Sequence, residues 1–271
     1  MCRLLGYVGD SPLSAEDALG PDQFAAFTGL SRVHRDGWGM AWRTPGGIAV
    51  ATSPRTAAED PRFHELAATP LSDDGVVHLR WATDGLLVGP ENTHPFTAQG
   101  LALAHNGSIQ PVPALEALLS DRARAALQGT TDSERYFQFV LDRINASGDE
   151  AEGLHDAIRR LATAFPRASL NALVLSSTAL YCVHVNSLAQ PPLADLREVF
   201  GSDERMPAGH ATAYFALSYR SDDRGVRVAS TGLSEPGWTP LPQNAILTID
   251  LATKAIEIMR LSLPDHGTVR A

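Results

Sequence analysis

Short apolar runs, separated by turns rich in glycine and proline, recur along the chain and predict more strands than helices. Leu4 to Val8 reads as a short buried strand. Gly37 to Trp42 and Gly47 to Ala51 read as a hairpin turning through Pro45-Gly46. Val76 to Arg80 and Leu101 to His105 are further strands, each entered from a glycine-containing turn.

The period then changes to helical. Ala114 to Leu127 carries Leu115, Leu118, Leu119 and Leu127 as its main apolar positions. A second helix begins at Thr131-Asp132-Ser133-Glu134, a Ser/Thr-x-x-Glu capping box, and places Tyr136, Phe137, Val140, Leu141 and Ile144 at helical spacing. A third runs from about Gly153 to Phe165, with Leu154, Ile158, Leu161 and Phe165 in line, and stops at Pro166.

Beyond Pro166 the pattern returns to paired strands. Leu170 to Leu175 and Ala179 to Val185 flank Ser176-Ser177-Thr178, and Tyr214 to Tyr219 and Val226 to Ser230 flank Ser221 to Gly225. Ala245 to Asp250 and Lys254 to Met259 flank Leu251-Ala252-Thr253. Hairpin runs with grouped helices predict an α+β protein of antiparallel sheets covered by helices, not a parallel doubly wound sheet. Gln190 to Gly209, rich in proline and charge, reads as a long surface loop. With no linker or internal repeat, residues 1–271 are expected to form a single domain.

Charge and composition narrow the function classes. A net charge of −9 without a Lys/Arg cluster gives no basic footprint for nucleic acid. No apolar stretch is long enough to cross a bilayer, and the N-terminus lacks the features of a secretory signal. Two cysteines, Cys2 and Cys182, make no disulfide framework, so a reducing cytoplasmic setting is expected. One of the two thiols stands at the very edge of the chain.

Four stretches combine unusual residues: His34-Arg35-Asp36-Gly37-Trp38-Gly39, His78 to Gly85, Glu91-Asn92-Thr93-His94-Pro95-Phe96 and Ala104-His105-Asn106-Gly107-Ser108. Each has an ordinary structural explanation. Asn-Gly is a common turn pair, a strand-end arginine is usually solvated, and Gly-Trp-Gly can be a tight corner over a core indole.

Taken in order with Met1-Cys2, however, Asp36-Gly37-Trp38-Gly39, Arg80-Trp81-Ala82-Thr83, His94-Pro95-Phe96, His105-Asn106-Gly107 and Thr131-Asp132-Ser133-Glu134 resemble the class II glutamine amidotransferases. Within these N-terminal-nucleophile hydrolases, the chain is most similar to the stand-alone YafJ-like proteins. The motifs span Cys2 to Glu134, about half the chain; the later strands carry no diagnostic motif. The resemblance implies a four-layer αββα sandwich, completed by residues 135–271, and no cofactor or metal.

The resemblance also implies removal of Met1, so that Cys2 carries both a thiol and a free α-amine. The amine, ordinarily titrating near pH 8, can accept and return a proton, and the thiol serves as nucleophile through a γ-glutamyl thioester. The family places the oxyanion donors on the Asn side-chain amide and the following Gly N–H, here Asn106 and Gly107. Arg80 would bind the substrate α-carboxylate with help from Thr83 and the Trp81 backbone, and Asp132 would hold its α-ammonium. Asp132 is also a first-turn acid favoured by the helix dipole. Two positions depart from the synthase members: Asp84 stands where they carry His, and Val33-His34 where they carry Arg-Gly. His34, His94 and His105 are not assigned catalysis; His105 reads as a strand-end hydrogen-bonding residue and His94 as pocket wall or support.

A metal hydrolase is disfavoured, since no His-Glu-x-x-His motif or close Cys/His cluster occurs. Cys182 and His184 alternate along a strand and do not converge on a substrate, so Cys182 reads as a buried structural thiol. A non-catalytic binding module on the same fold is the rival of another class, opposed by the retained Cys2, Arg80, Asn106, Gly107 and Asp132. The expected ligand is a small γ-glutamyl amide. Free glutamine would give glutamate and ammonia for a separate synthase or acceptor subunit. Relatives acting on ergothioneine-pathway or glutathione-type compounds share the same head-group recognition. The loops Ser53–Thr69, Asp84–Glu91 and Gln190–Met206 are expected to decide among these substrates.

Overall fold

The computed structural model describes residues 2–82, 89–233 and 236–263. In chain order the first half runs β1 (Arg3–Leu13), α1 (Ala15–Leu19), α2 (Pro21–Gly29), β2 (Trp38–Thr44), β3 (Gly47–Ser53), α3 (Pro61–Ala68), β4 (Ser72–Leu79), β5 (Phe96–Ala98) and β6 (Leu101–Asn106). Next come α4 (Val112–Glu116), α5 (Asp121–Ala125), α6 (Asp132–Ser147), α7 (Glu150–Ala164), β7 (Asn171–Leu175), β8 (Ala179–His184) and α8 (Leu193–Phe200). The chain closes with β9 (Leu217–Asp222), β10 (Gly225–Ser230), β11 (Thr239–Pro240), β12 (Ala245–Asp250) and β13 (Ile256–Arg260).

Two antiparallel sheets result, ordered β11-β9-β10-β1-β4-β2-β3 and β13-β12-β8-β7-β6-β5. Both are packed on two faces, which is why β1, β4, β6, β7 and β8 read as near-continuous apolar runs instead of alternating ones. Leu4, Val8 and Val76 of the first sheet meet Ala104, Leu173 and Cys182 of the second in the central layer. On the outer faces, Leu5, Tyr7 and Leu79 pack under α1–α3, while Leu103, Ala172 and Val174 pack under α6 and α7. The order is helix, sheet, sheet, helix, as the resemblance implied. No helix among the described residues is long and apolar enough to cross a membrane.

Several expected elements change. The helix expected over Ala114–Leu127 is broken into α4 and α5. Ser120 interrupts it because its N–H and hydroxyl donate to the Asp142 carboxylate at 2.9 and 2.8 Å, while its Oγ caps the N–H of Ala123 at 3.1 Å. Leu118, expected inside, is consequently exposed. The loop expected over Gln190–Gly209 contains α8, whose Leu196 is buried and whose end is capped by Gly201 in the left-handed region. The strand expected from Tyr214 starts only at Leu217, because Tyr214 and Phe215 turn into a separate small core with Val33, Leu196 and Met206.

Helices α1–α3 were not evident in the sequence. Each is nine residues or shorter, below the length at which intrinsic propensity stabilises a helix in water. Packing of Ala15, Leu19, Phe24, Phe27 and Phe63 on the first sheet holds them instead.

Candidate active site

The site lies where the two sheets end together. Along β1, Leu4 and Val8 face the central layer, and Cys2 has the same parity one step before the strand. Asn106, the last residue of β6, shares parity with Ala102 and Ala104 on the opposing face. The backbone nitrogen of Cys2 donates to Asn106 Oδ1 at 2.8 Å across this gap. That bond fixes the amide orientation, since a nitrogen donor must meet the oxygen. Asn106 Nδ2 therefore faces the other way. It is completely buried without a hydrogen-bond partner among the described residues, although such a donor normally costs stability. The Cys2 thiol is itself almost buried, with Sγ 3.9 Å from the Trp81 carbonyl oxygen.

Gly107 follows, and a Cβ there would fall inside the Ser169 carbonyl oxygen and 2.7 Å from His105 Nε2. No other residue fits without moving the strand end. Ser169 clamps the turn from both sides: its Oγ donates to the Asn106 carbonyl at 2.8 Å, and its own carbonyl accepts from His105 Nε2 at 2.8 Å. Because Nε2 must carry the proton, His105 Nδ1 accepts from Ser133 Oγ, also at 2.8 Å. Burial holds the His105 imidazole below its ordinary range, partly opposed by the Asp132 carboxylate. His105 is thus a hydrogen-bonding support for the Asn-Gly turn, as its strand-end position suggested.

The loop before β2 and the chain leaving β4 form the opposite wall. Asp36 N–H donates to the Arg80 carbonyl at 3.0 Å, Arg80 N–H donates to the Gly37 carbonyl at 2.8 Å, and Ala82 N–H donates to the Asp36 carboxylate at 2.8 Å. These bonds hold the strand end that brings the Trp81 carbonyl to the thiol. Arg80 is buried, and its Nη1 donates to the Asp36 carbonyl at 3.2 Å. Thr83, expected as a helper, lies outside the described residues, as does Asp84. Gly39 has no room for a side chain, because a Cβ would penetrate the His94 carbonyl. Trp38 proves to be the core indole of the ordinary explanation, donating to Asp60 at 3.0 Å. His94 is buried with its ring tilted against that of His78, centroids 4.3 Å apart. Burial holds His94 well below the ordinary imidazole range and brings His78 to about 3.

Asp132, at the start of α6, accepts from Ile109 N–H at 2.6 Å and from Ser133 N–H at 3.0 Å. It therefore ties the helix start to the segment after Asn106-Gly107, leaving further lone-pair positions on its carboxylate. Thr131 caps Glu134 N–H at 3.1 Å, as the capping box requires. Glu134 does not complete the box. Its carboxylate instead accepts from the N–H groups of Gln128 and Gly129 at 2.6 and 2.9 Å, while Asn92 Oδ1 accepts from Thr130 N–H at 2.9 Å. Glu134 and Asn92 thus hold the segment that delivers Asp132.

Sequence reasoning missed Arg3, Ser169, His210 and Tyr214. Arg3 had a signal, a charge inside a buried apolar run. The others arrive from positions more than 60 residues away in the chain and had none. Cys182 is buried in the central layer, and burial pushes its thiol well above the ordinary range, in keeping with a structural role. His184 bonds to the Pro242 carbonyl at 3.0 Å, away from any pairing with it.

Residues 1–248 match the family described as glutamine amidotransferases class-II. A glutamine--fructose-6-phosphate aminotransferase of Streptomyces coelicolor is 33% identical over 179 residues, covering 64% of this chain and 27% of that protein. The putative glutamine amidotransferase YafJ of Escherichia coli is 31% identical over 155 residues, covering 53% of this chain and 55% of YafJ. The chain therefore spans only part of the length of these relatives. Among solved structures, a glutamine aminotransferase class-II domain protein from Silicibacter pomeroyi superposes with a TM-score of 0.64 at 21% identity, covering 97% and 100% of the two chains. Glutamine phosphoribosylpyrophosphate amidotransferase of Bacillus subtilis superposes at 0.62 and 16% identity, covering 97% of this chain and 50% of that one. These two likenesses concern the fold. With a family match over nearly the whole chain and a cysteine-asparagine pair bridging the two sheets, the chain belongs to the class II glutamine amidotransferases.

Proposed function

We propose that this chain hydrolyses a γ-glutamyl amide, with Cys2 as nucleophile. The observation that carries the reading is Asn106: one amide atom holds the Cys2 nitrogen, and the other is a buried donor without a partner among the described residues. Once Met1 is removed, the Cys2 nitrogen becomes an α-amine seated on Asn106 Oδ1. The amine takes the thiol proton as Sγ attacks the γ-carbonyl carbon, and the carbonyl oxygen becomes an oxyanion. Asn106 Nδ2 and Gly107 N–H donate to that oxyanion, each such donor being worth about 10²–10³ in rate. Collapse breaks the C–N bond, the ammonium returns its proton to the leaving nitrogen, and a γ-glutamyl thioester remains. Water, deprotonated by the same amine, attacks the thioester and releases glutamate and the free thiol.

Arg80 is assigned the substrate α-carboxylate, with the Trp81 backbone and Thr83 beside it, and Asp132 the α-ammonium. The two charges come from different elements, one from the chain leaving β4 and one from the start of α6. In this reading residues 1–271 act as one domain, and ammonia from glutamine is available to a separate acceptor protein.

Intact mass tests the processing first, since retained Met1 would leave no α-amine. Glutamate release is then measured from glutamine, glutathione and other γ-glutamyl amides with the wild type and Cys2→Ala. Complete loss in the variant is expected; full activity without the thiol would refute the proposal.

A further inference from the structure

Arg3 is the first residue of β1 and is fully buried. Its Nη1 donates to the Cys2 carbonyl at 3.0 Å and to the Tyr214 carbonyl at 3.3 Å. Its Nη2 lies 3.0 Å from His210 Nε2, and its guanidinium carbon sits 4.0 Å over the Tyr214 ring. Among the described residues no carboxylate pairs with it. Most buried arginines have such a partner, because an uncompensated buried charge is strongly destabilising.

The groups that face the guanidinium do not cancel its charge. Burial, reinforced by Arg3, brings His210 down to about 3, so it is neutral and accepts the Nη2 hydrogen bond. Burial pushes the Tyr214 phenol up to about 12, leaving an aromatic face and a carbonyl toward Arg3. Cys2 meets the guanidinium through its backbone carbonyl. Tyr214 also packs with Val33, Leu196 and Met206 in the small core against which Trp81 rests. Arg3 therefore joins the nucleophile's own backbone to the segment beneath the site wall.

We propose that Arg3 is a positioning residue for the reaction: its guanidinium, with no carboxylate partner among the described residues, fixes the Cys2 carbonyl against the 210–214 segment and so holds the nucleophile's backbone in place. The inference rests on the reading of Cys2 as nucleophile, and its test is separable from the substrate question. The rate of Cys2 alkylation by iodoacetamide reports the placement of the thiol without substrate, and glutamate release reports turnover.

For Arg3→Met, kcat falls at least about tenfold with KM changed less than about threefold, the pattern of an interaction realised in the transition state. The rate of Cys2 alkylation changes at least about threefold. Arg3→Lys keeps the charge but loses the fork, so its kcat also falls about tenfold with KM held. A folded Arg3→Met with the wild-type kcat would overturn the proposal. If Arg3→Met does not fold, Arg3→Lys decides alone: an unchanged kcat overturns it, and a lower kcat at an unchanged KM supports it. If the wild type releases no glutamate from any γ-glutamyl amide, the substrate reading fails while the alkylation rates still decide the positioning.

Discussion

Asn106→Ala separates chemistry from stability at the same residue. The side chain makes one bond in the resting site, from the Cys2 nitrogen at 2.8 Å, and leaves one completely buried donor unmade. Removing the side chain leaves the buried Cys2 nitrogen without its acceptor, a cost of about 1–3 kcal/mol, and takes away the buried unpaired Nδ2 donor, a gain of similar size. The two largely offset, so the melting temperature is expected to stay within about 8 °C of the wild type in either direction, at roughly 2–4 °C per kcal/mol for a chain near this size. Activity has no such offset. Loss of one oxyanion donor lowers kcat by about 10²–10³, or about 2.7–4 kcal/mol. The assay pairs differential scanning calorimetry with initial rates of glutamate release at saturating substrate. A variant that keeps kcat within tenfold of the wild type, whatever its melting temperature, would show that Asn106 is structural, and the oxyanion assignment would fall.

Three further outcomes follow from the same coordinates. Gly39→Ala drives a methyl into the His94 carbonyl, so a loss of about 2 kcal/mol or more is expected in chemical denaturation, and an unchanged midpoint would contradict the close approach. Asp222 is held well below the ordinary carboxylate range by hydrogen bonds from Arg227, whose side chain is only 3% exposed. With its folded pKa depressed, its contribution is present above the unfolded value near 4 and lost as pH falls through the folded value. Asp222→Asn should thus cost about 2 kcal/mol at pH 7, discounted for the partial exposure of Asp222, with the gap to wild type shrinking below about pH 4. Thermal melts at pH 7 and 3 check this, and an equal gap at both would refute it. In the native protein iodoacetamide should add once, at Cys2, because Cys182 is fully buried with its thiol pushed upward; two adducts by intact mass before unfolding would disprove that burial.

Much of the scaffold was legible because its signals are local. The β2–β3 hairpin, β7, β8, α6 and α7 follow from period, turn residues and caps within their own windows. The failures were also physical. Leu118 suits a continuous helix by spacing, but Asp142 from α6 captures Ser120 and breaks it. Glu134 suits a capping box, but two backbone N–H groups at Gln128 and Gly129 compete for its carboxylate and win.

At the candidate site, the ordered motifs single out Cys2, Arg80, Asn106, Gly107 and Asp132 from the sequence alone. What they left open was the arrangement. Order along a chain records residue types and local conformation, and nothing in it sets which amide atom of Asn106 meets Cys2, or that Ser169 clamps the Asn-Gly turn. The same holds for Arg3, visible as a charge in an apolar strand but given its partners only by His210 and Tyr214 some two hundred residues later. Those pairings depend on the register of two packed sheets, and burial then decides which polar atoms are satisfied and which are held ready.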